Sequence, residues 1–541
     1  MMYGSRCNNL TFILLSLALP LLIAGCRTPQ QYKEKADTDV YNIIDRIWED
    51  KLFSRANYKI SDTKPLPQDL QVEKSVPDSG ILSLAQALQL ATAHNRDYQT
   101  QKETLYLTAL QQTSVSHQYD FIPFGQGAGS YLKEGQDEGI GATAALGFNK
   151  LLYTGAFIST QIAANWMDII TGNMQSGLSS ILSASITQPV LRGYGRQVVM
   201  ENLTQVQRDT LYQLRLFNRF RKTFVVSVVS QYYHILQLYD EVKNARANFD
   251  TLNWMNRRAQ DLATMGMIPQ YELNQIYQDA LQAHDTLVLS QKMYQQALDG
   301  FKITLSLPTQ TEIQLDEKEL DALRALGTIE YEFQETEAIQ TTLAQRLDLA
   351  NKADAVDDAK RKVAIAADAL RAELNLVASA SEASSDERTD IITFNKLEDK
   401  YGLGVQLDLP LDRLEERNLY RTSLITLNQR RREYEQASDM AVFEVRQAFR
   451  DLSESAQRYK LQTESLTLAR KRFDNTIALL STAQTNTRDV LDAQRDLFRA
   501  QNASTQTLVE YTIAFLRFYQ DTGVLRVQPD GMWVPQLAAK K

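Results

Sequence analysis

Hydrophobic positions along this chain keep two different periods. Val228, Ile235, Val242 and Phe249 recur every seven residues, with Leu238, Ala245 and Leu252 at the intervening positions. A second stripe of the same kind joins Val442, Phe449 and Ala456 to Val445, Leu452, Tyr459 and Leu466. Seven-residue stripes sustained this long predict helices that pack along a narrow seam, as in coiled coils. Elsewhere the period is two. Ile158, Thr160, Ile162, Ala164 and Trp166 alternate with Ser159, Gln161, Ala163 and Asn165, and Leu182, Ala184 and Ile186 with Ser183, Ser185 and Thr187. Leu374, Leu376, Ala378 and Ala380 mark one face of a third segment; in a fourth, Leu403, Val405, Leu407 and Leu409 alternate with Gly404, Gln406 and Asp408. Alternation of this kind predicts strands with one apolar and one polar face.

Glycine and proline place these segments in order. Twelve of the 22 glycines fall between Gly125 and Gly195, whereas 196–265, 328–401 and 411–522 hold neither residue. Runs of 70, 74 and 112 residues without the strongest local punctuators argue for very long helices and against a doubly wound α/β enzyme. Seventy helical residues reach roughly 105 Å. The predicted order is a lead-in and linker over 26–80, a first repeat over 81–308 with a hairpin at 141–190, and an acidic connector over 309–335. A second repeat over 336–523 carries a hairpin at 373–409, and 524–541 is a tail. The order helix, hairpin, long helix, turn, helix thus occurs twice.

The N-terminus carries an address. Arg6 precedes an apolar stretch, Leu10–Ala24, too short to span a bilayer, and 1–25 reads as a signal peptide. Leu22-Ile23-Ala24-Gly25-Cys26 resembles a bacterial lipobox, which implies that Cys26 is acylated and becomes the first mature residue, with Arg27 after it favouring the outer membrane. Cys7 leaves with the signal, so no disulfide forms within the mature chain. A single lipidated terminus is a tether rather than a full anchor.

A lone two-stranded hairpin is marginal in water, and in a bilayer its edges leave backbone groups unpaired. Four strands per chain cannot close a barrel, since about eight is the minimum. Three chains would supply twelve, with polar faces around a lumen and the helices as a matching tube. The expected fold class is therefore mainly α with membrane β: a duplicated long-helix α-barrel plus four strands per chain that close a twelve-stranded barrel as a trimer. A lipid-tethered coiled-coil envelope scaffold without a pore is the competing reading. It gives no reason for Ser183, Ser185, Gln406 and Asp408 to share the strands with an apolar face.

Several motifs resemble the TolC-like outer-membrane efflux protein family, lipoprotein branch. They are Leu84–Asn95, which fits LxxALxxAxxxN, and Gln188-Pro189-Val190-Leu191-Arg192-Gly193-Tyr194-Gly195. Gly266-Met267-Ile268 before Glu272, and Asp489-Val490-Leu491-Asp492-Ala493, complete the set. The resemblance, over about 82–523, implies a homotrimeric passive duct across periplasm and outer membrane. It would dock a periplasmic adaptor protein and an inner-membrane pump, in tripartite efflux or type I secretion, and sit in outer-membrane lipid.

The same resemblance assigns residues. Asp489 and Asp492, three apart on one helix face, match the carboxylate rings of a periplasmic gate, and Glu272 matches the acidic position of the first half. Gly266, Met267 and Ile268 mark the first helix-hairpin tip for adaptor docking, with Ala483 at the second, where the absence of Gly predicts a different turn. Gln188, Pro189, Gly193 and Gly195 mark a β-to-α bend at the barrel rim; the third glycine of a dinucleotide loop is missing at Val198. No GxSxG, Walker or HExxH pattern is present, and the four His lack metal-ligand spacing. A net charge of −8 without a basic cluster speaks against nucleic acid. Neither enzymatic activity, metal nor cofactor is expected.

Overall fold

The computed structural model describes residues 28–52, 57–62, 72–134, 137–171, 177–328, 334–383, 400–482 and 484–534. Residues 1–25, read as a signal peptide, and Cys26 lie outside the described residues. The chain divides into two compact units, one of Met1–Phe53, Thr104–Leu214 and Asp357–Gln429, the other of Ser54–Glu103, Arg215–Val356 and Arg430–Lys541.

The first unit is built on one antiparallel sheet of six strands: β2 (Ile122–Glu134), β3 (Asp137–Leu151), β4 (Phe157–Thr171), β5 (Gly177–Pro189), β7 (Glu373–Ala383) and β8 (Tyr401–Asp408). All four predicted strands are present as β4, β5, β7 and β8, and the two hairpins pair side by side through β5 and β7, with Ile186 opposite Ala378. The expected count of four is corrected to six, because β2 and β3 form a further hairpin at the β4 edge. Their period was hidden by residue size. On one face β2 places Gly125, Gly127 and Gly129, which carry no apolar side chain to betray the alternation, and β3 places Ala142 and Ala144 beside them. Glycine also permits close packing across the strands. A Cβ on Gly147 would fall 2.6 Å from the Phe124 ring and 2.3 Å from the Thr160 carbonyl.

Long helices flank the sheet in sequence: α1 (Pro29–Leu52), α2 (Leu84–His94), α3 (Arg96–His117), α4 (Arg196–Val199) and α5 (Glu201–Thr264) in the first half. The hairpin partner of α5 is α6 (Gln270–Thr304); α7 (Lys318–Leu326) lies in the connector beyond β6 (Gln314–Leu315), which pairs in parallel with β1 (Ile81–Leu82). The second half repeats the scheme with α8 (Glu335–Gln345), α9 (Leu347–Asp368), α10 (Leu414–Ser481) and α11 (Thr487–Asp521), followed by the small hairpin β9 (Arg526–Val527) and β10 (Trp533–Val534). Each predicted leading helix is broken once, at Asn95 and at Arg346, both extended in backbone conformation. Asn95 holds its break by accepting the Tyr98 N–H and donating to the Thr304 carbonyl.

The heptad stripes are buried as expected. Val228, Ile235, Val445 and Leu452 are almost fully enclosed, and with Leu82, Leu88, Phe301, Leu508 and Phe518 they form the main core of the second unit. Burying side chains of this size contributes about 1.5–3 kcal/mol each. Among the described residues, no helix is long and apolar enough to cross a membrane.

Candidate membrane sheet and helix-hairpin tip

The six strands sort their side chains by face. Pairing brings Phe148, Leu146 and Ile140 of β3, Ile158, Ile162 and Trp166 of β4, Leu182 and Ile186 of β5, Leu376 of β7 and Leu403 and Val405 of β8 to one side. The opposite side carries Thr143, Gln161, Asn165, Ser183, Ser185, Ser379 and Gln406. The apolar side is open: Leu146 is 64% exposed, Ile162 48% and Leu403 88%. A wide uncovered apolar face on a soluble sheet is an aggregation hazard, whereas facing lipid it is stable. Strands of 13, 15, 15, 13 and 11 residues, with β8 at 8, bracket the nine to eleven needed to cross a bilayer at a tilt.

Below the sheet the chain turns into helix at the predicted bend. Gly193 and Gly195 have φ of +78° and +98°, values that only glycine adopts without strain. The Gly193 N–H donates to the Asp368 carboxylate at 2.8 Å, and the Gly195 N–H donates to the Thr154 carbonyl. Gln188 donates through Nε2 to the Pro189 carbonyl at 2.7 Å and accepts from the Thr154 hydroxyl at 3.0 Å, so the four motif residues act together as one turn. Val115, Tyr119, Leu203 and Val206 make a small core under it.

Sequence reasoning missed the polar cluster beside this core. Asp358, almost fully enclosed, receives Arg208, Arg361 at 2.8 Å and the Tyr212 hydroxyl at 2.5 Å. Burial, reinforced by the bond to Asp358, pushes the Tyr212 phenol well above its usual range. Arg208 and Tyr212 lie about 150 positions from Asp358, so no local pattern announces their meeting.

In the second unit the structure brings the two predicted tips into one cluster. Leu252, Met255, Ala259, Ile276, Ala280, Val490 and Leu491 pack together, with Ile268, Leu273, Phe473 and Leu480 against them. The α5 helix ends in a Schellman motif: Gly266 has φ +72°, its N–H reaches the Ala263 carbonyl, and the Met267 N–H reaches that of Leu262. At the second tip the Gln484 N–H reaches the Leu479 carbonyl, the same six-to-one bond, while Ala483 lies outside the described residues. Met265 and Met267 are 71% and 70% exposed, whereas Ile268 turns inward. The tip triplet therefore divides into an outward Met267 and an inward Ile268.

Two of the three predicted carboxylates occupy corresponding places. Pro269 caps α6 and Asn486 caps α11, which makes Glu272 and Asp489 the third helical residue of each, near the positive end of the helix dipole. Asn486 accepts the Asp489 N–H at 2.9 Å, and Asp489 itself accepts the Thr485 hydroxyl at 2.8 Å. Asp492 instead faces Arg495 at 3.4 Å, and Arg495 also faces Asp279 at 3.5 Å. Of the two aspartates, Asp489 carries the less compensated charge.

Comparison with known proteins agrees with this geometry. Residues 338–524 match the family model described as outer membrane efflux protein. The CmeC outer membrane channel of Campylobacter jejuni shares the fold with a TM-score of 0.60 at 13% identity, over 86% of this chain and 90% of its own. VceC, an outer membrane protein of Vibrio cholerae, gives 0.59 at 12% identity, over 81% and 96%. The open state of the Neisseria gonorrhoeae MtrE outer membrane channel gives 0.57 at 11%, over 88% and 98%. By sequence alone no curated protein matches the chain. The chain shares the fold of these outer-membrane channels.

Proposed function

We propose that the protein is the outer-membrane channel of a tripartite export system, a passive duct assembled from three identical chains. The observation that carries this reading is the sheet with one open apolar and one polar face, on a chain whose residues 338–524 match the outer membrane efflux protein model. An unclosed sheet cannot rest in lipid, because each unpaired backbone group costs several kcal/mol there. Closure by neighbouring copies supplies those partners and encloses the polar face.

In this reading Cys26 is acylated and holds the mature N-terminus at the outer membrane. The tip around Gly266 and Met267, with Ala483, meets a periplasmic adaptor, and Glu272, Asp489 and Asp492 ring the periplasmic entrance. Export is driven by the partner pump. The competing scaffold would have no use for an exposed apolar sheet.

Detergent-extracted protein, examined for oligomer mass and for single-channel conductance in planar bilayers, tests the proposal. A trimer that conducts is expected; a monomer or dimer that never conducts would overturn it. Loss of acyl labelling in Cys26→Ser is expected if the lipobox reading holds, and persistent labelling would remove it.

A further inference from the structure

The two halves of the chain repeat one order, but they do not contribute equally to the sheet. In the second half α9 leads into β7, β8 follows, and α10 leaves. In the first half α3 leads into four strands before α4 and α5. Register shows which pair is additional. Strands alternate in direction along the sheet, so β2 and β4 run the same way and both start at the end where α3 arrives. Ile122, the first residue of β2, lies opposite Asn149 near the end of β3, and Lys150 beyond it donates to the Tyr119 carbonyl at 2.6 Å. Cutting out 122–149 would leave α3 entering β4 directly, as α9 enters β7.

We propose that β2–β3 is an inserted pair of barrel strands, so that each chain supplies six and the assembled trimer closes an eighteen-stranded barrel with a correspondingly wide outlet. This rests on the trimeric duct reading above. Three observations support wall strands over a loose flap. β3 pairs with β4 along the whole length from Leu151 opposite Phe157 to Glu138 opposite Thr171. Its apolar residues Phe148, Leu146 and Ile140 continue the exposed face of β4, and Thr143 and Ala145 continue the polar one. β2 covers β3 over thirteen residue pairs and leaves its own outer edge at the end of the sheet.

The occupant of that edge is a second copy of this chain. The sheet has two free edges, β2 and β8, which run in opposite directions because six is even. β8 of one copy therefore meets β2 of the next as another antiparallel pair, and three such junctions close the wall without a break. Barrel diameter grows roughly in proportion to strand number, so eighteen strands give a barrel about 1.5 times as wide as twelve. That is the range of barrels that hold an open aqueous channel. Through the middle of the sheet the lining of β3, β4, β5 and β7 is uncharged and polar (Thr143, Gln161, Asn165, Ser183, Ser185, Ser379), with the carboxylates Glu373 and Asp408 opposite each other at its helix end. Such an outlet suits bulky hydrated cargo rather than small apolar molecules alone.

Electron-microscopic reconstruction of the full chain in lipid nanodiscs, beside a variant lacking 122–149, reads strand number and barrel diameter directly. Eighteen strands are expected in the full chain and twelve in the deletion, with a barrel about two-thirds as wide. A twelve-stranded wall in both would overturn the proposal while leaving the duct intact, and absence of any trimeric barrel would overturn the duct itself. Should the deletion fail to assemble, single added cysteines give an independent reading, since in this reading Cys7 leaves with the signal and the Cys26 thiol is blocked by its acyl chain. Ala145→Cys, on the polar side, should react with a charged thiol reagent that cannot enter lipid, and Ala144→Cys, on the apolar side, should not. Equal reactivity at both would mean that the hairpin lies outside the wall.

Discussion

Gly193 donates its backbone N–H to the Asp368 carboxylate at 2.8 Å, joining the bend after β5 to the last turn of α9, 175 residues later. The bond fixes where the first-half strands give way to helix, at a glycine whose φ of +78° leaves its N–H pointing away from regular structure. Asp368→Ala removes the acceptor and leaves a partly buried donor unpaired, a loss of about 1 kcal/mol. Thermal unfolding and trimer yield after detergent extraction should both fall, and Asp368→Asn, which keeps an acceptor oxygen, should recover most of the loss.

Asp358 is the anchor of Arg208, Arg361 and Tyr212. Asp358→Ala leaves two cations and a phenol without their common partner in an enclosed place, and destabilisation of about 3–5 kcal/mol is expected. Denaturant unfolding measures it. A double mutant that also replaces Arg208 with Met should be more stable than Asp358→Ala alone, because one stranded charge is then gone.

Asp521 gives the second unit a dependence on pH. Burial, helped by the nearby Glu444 carboxylate, raises it to about 6 despite Arg346, Arg219 and Arg517. Between 3.8 and about 6 the folded chain holds this proton and the unfolded chain does not, so stability from this group falls as pH rises through that window. Above it the cost of the buried charge is complete, at most about 3 kcal/mol. Asp521→Asn should therefore raise the melting temperature at pH 8 and leave it nearly unchanged at pH 4. Equal shifts at both pH values would contradict the assignment.

The tip residues separate packing from docking. Ile268 packs on the core of Leu252, Ile276 and Leu491, while Met267 faces solvent. Ile268→Ala should lower stability by about 2–4 kcal/mol. Met267→Ala should leave unfolding unchanged, and under the proposed docking role it should weaken capture of the adaptor in a pull-down from cells.

At the proposed gate the two aspartates should act unequally. Asp489 is bonded to a hydroxyl, whereas Asp492 has Arg495 beside it. Asp489→Asn should reduce cation selectivity more than Asp492→Asn, read as the reversal potential under a salt gradient. Removing both without any change in reversal potential would end the carboxylate-ring reading.

The chain alone determined the elements whose side chains contrast in character. Heptads such as Val228, Ile235 and Val445, Leu452 announce their helices because apolar residues must line up on a seam. β4, β5, β7 and β8 announce themselves because one face is apolar and the other polar. The bend at Gly193 and Gly195 and the turn at Gly266 were legible because positive φ demands glycine. Only the tertiary structure decided the rest. β2 carries glycine where an apolar residue would have marked its face, so its membership of the sheet appears only when its backbone pairs with β3. Whether Ile268 faces inward, and whether Asp489 or Asp492 meets a cation, depends on side chains from other helices. The pairing of Gly193 with Asp368 and of Arg208 with Asp358 joins positions about 150 or more apart. Local periodicity records which face a residue presents to its own element; which distant residue meets that face is settled only by packing.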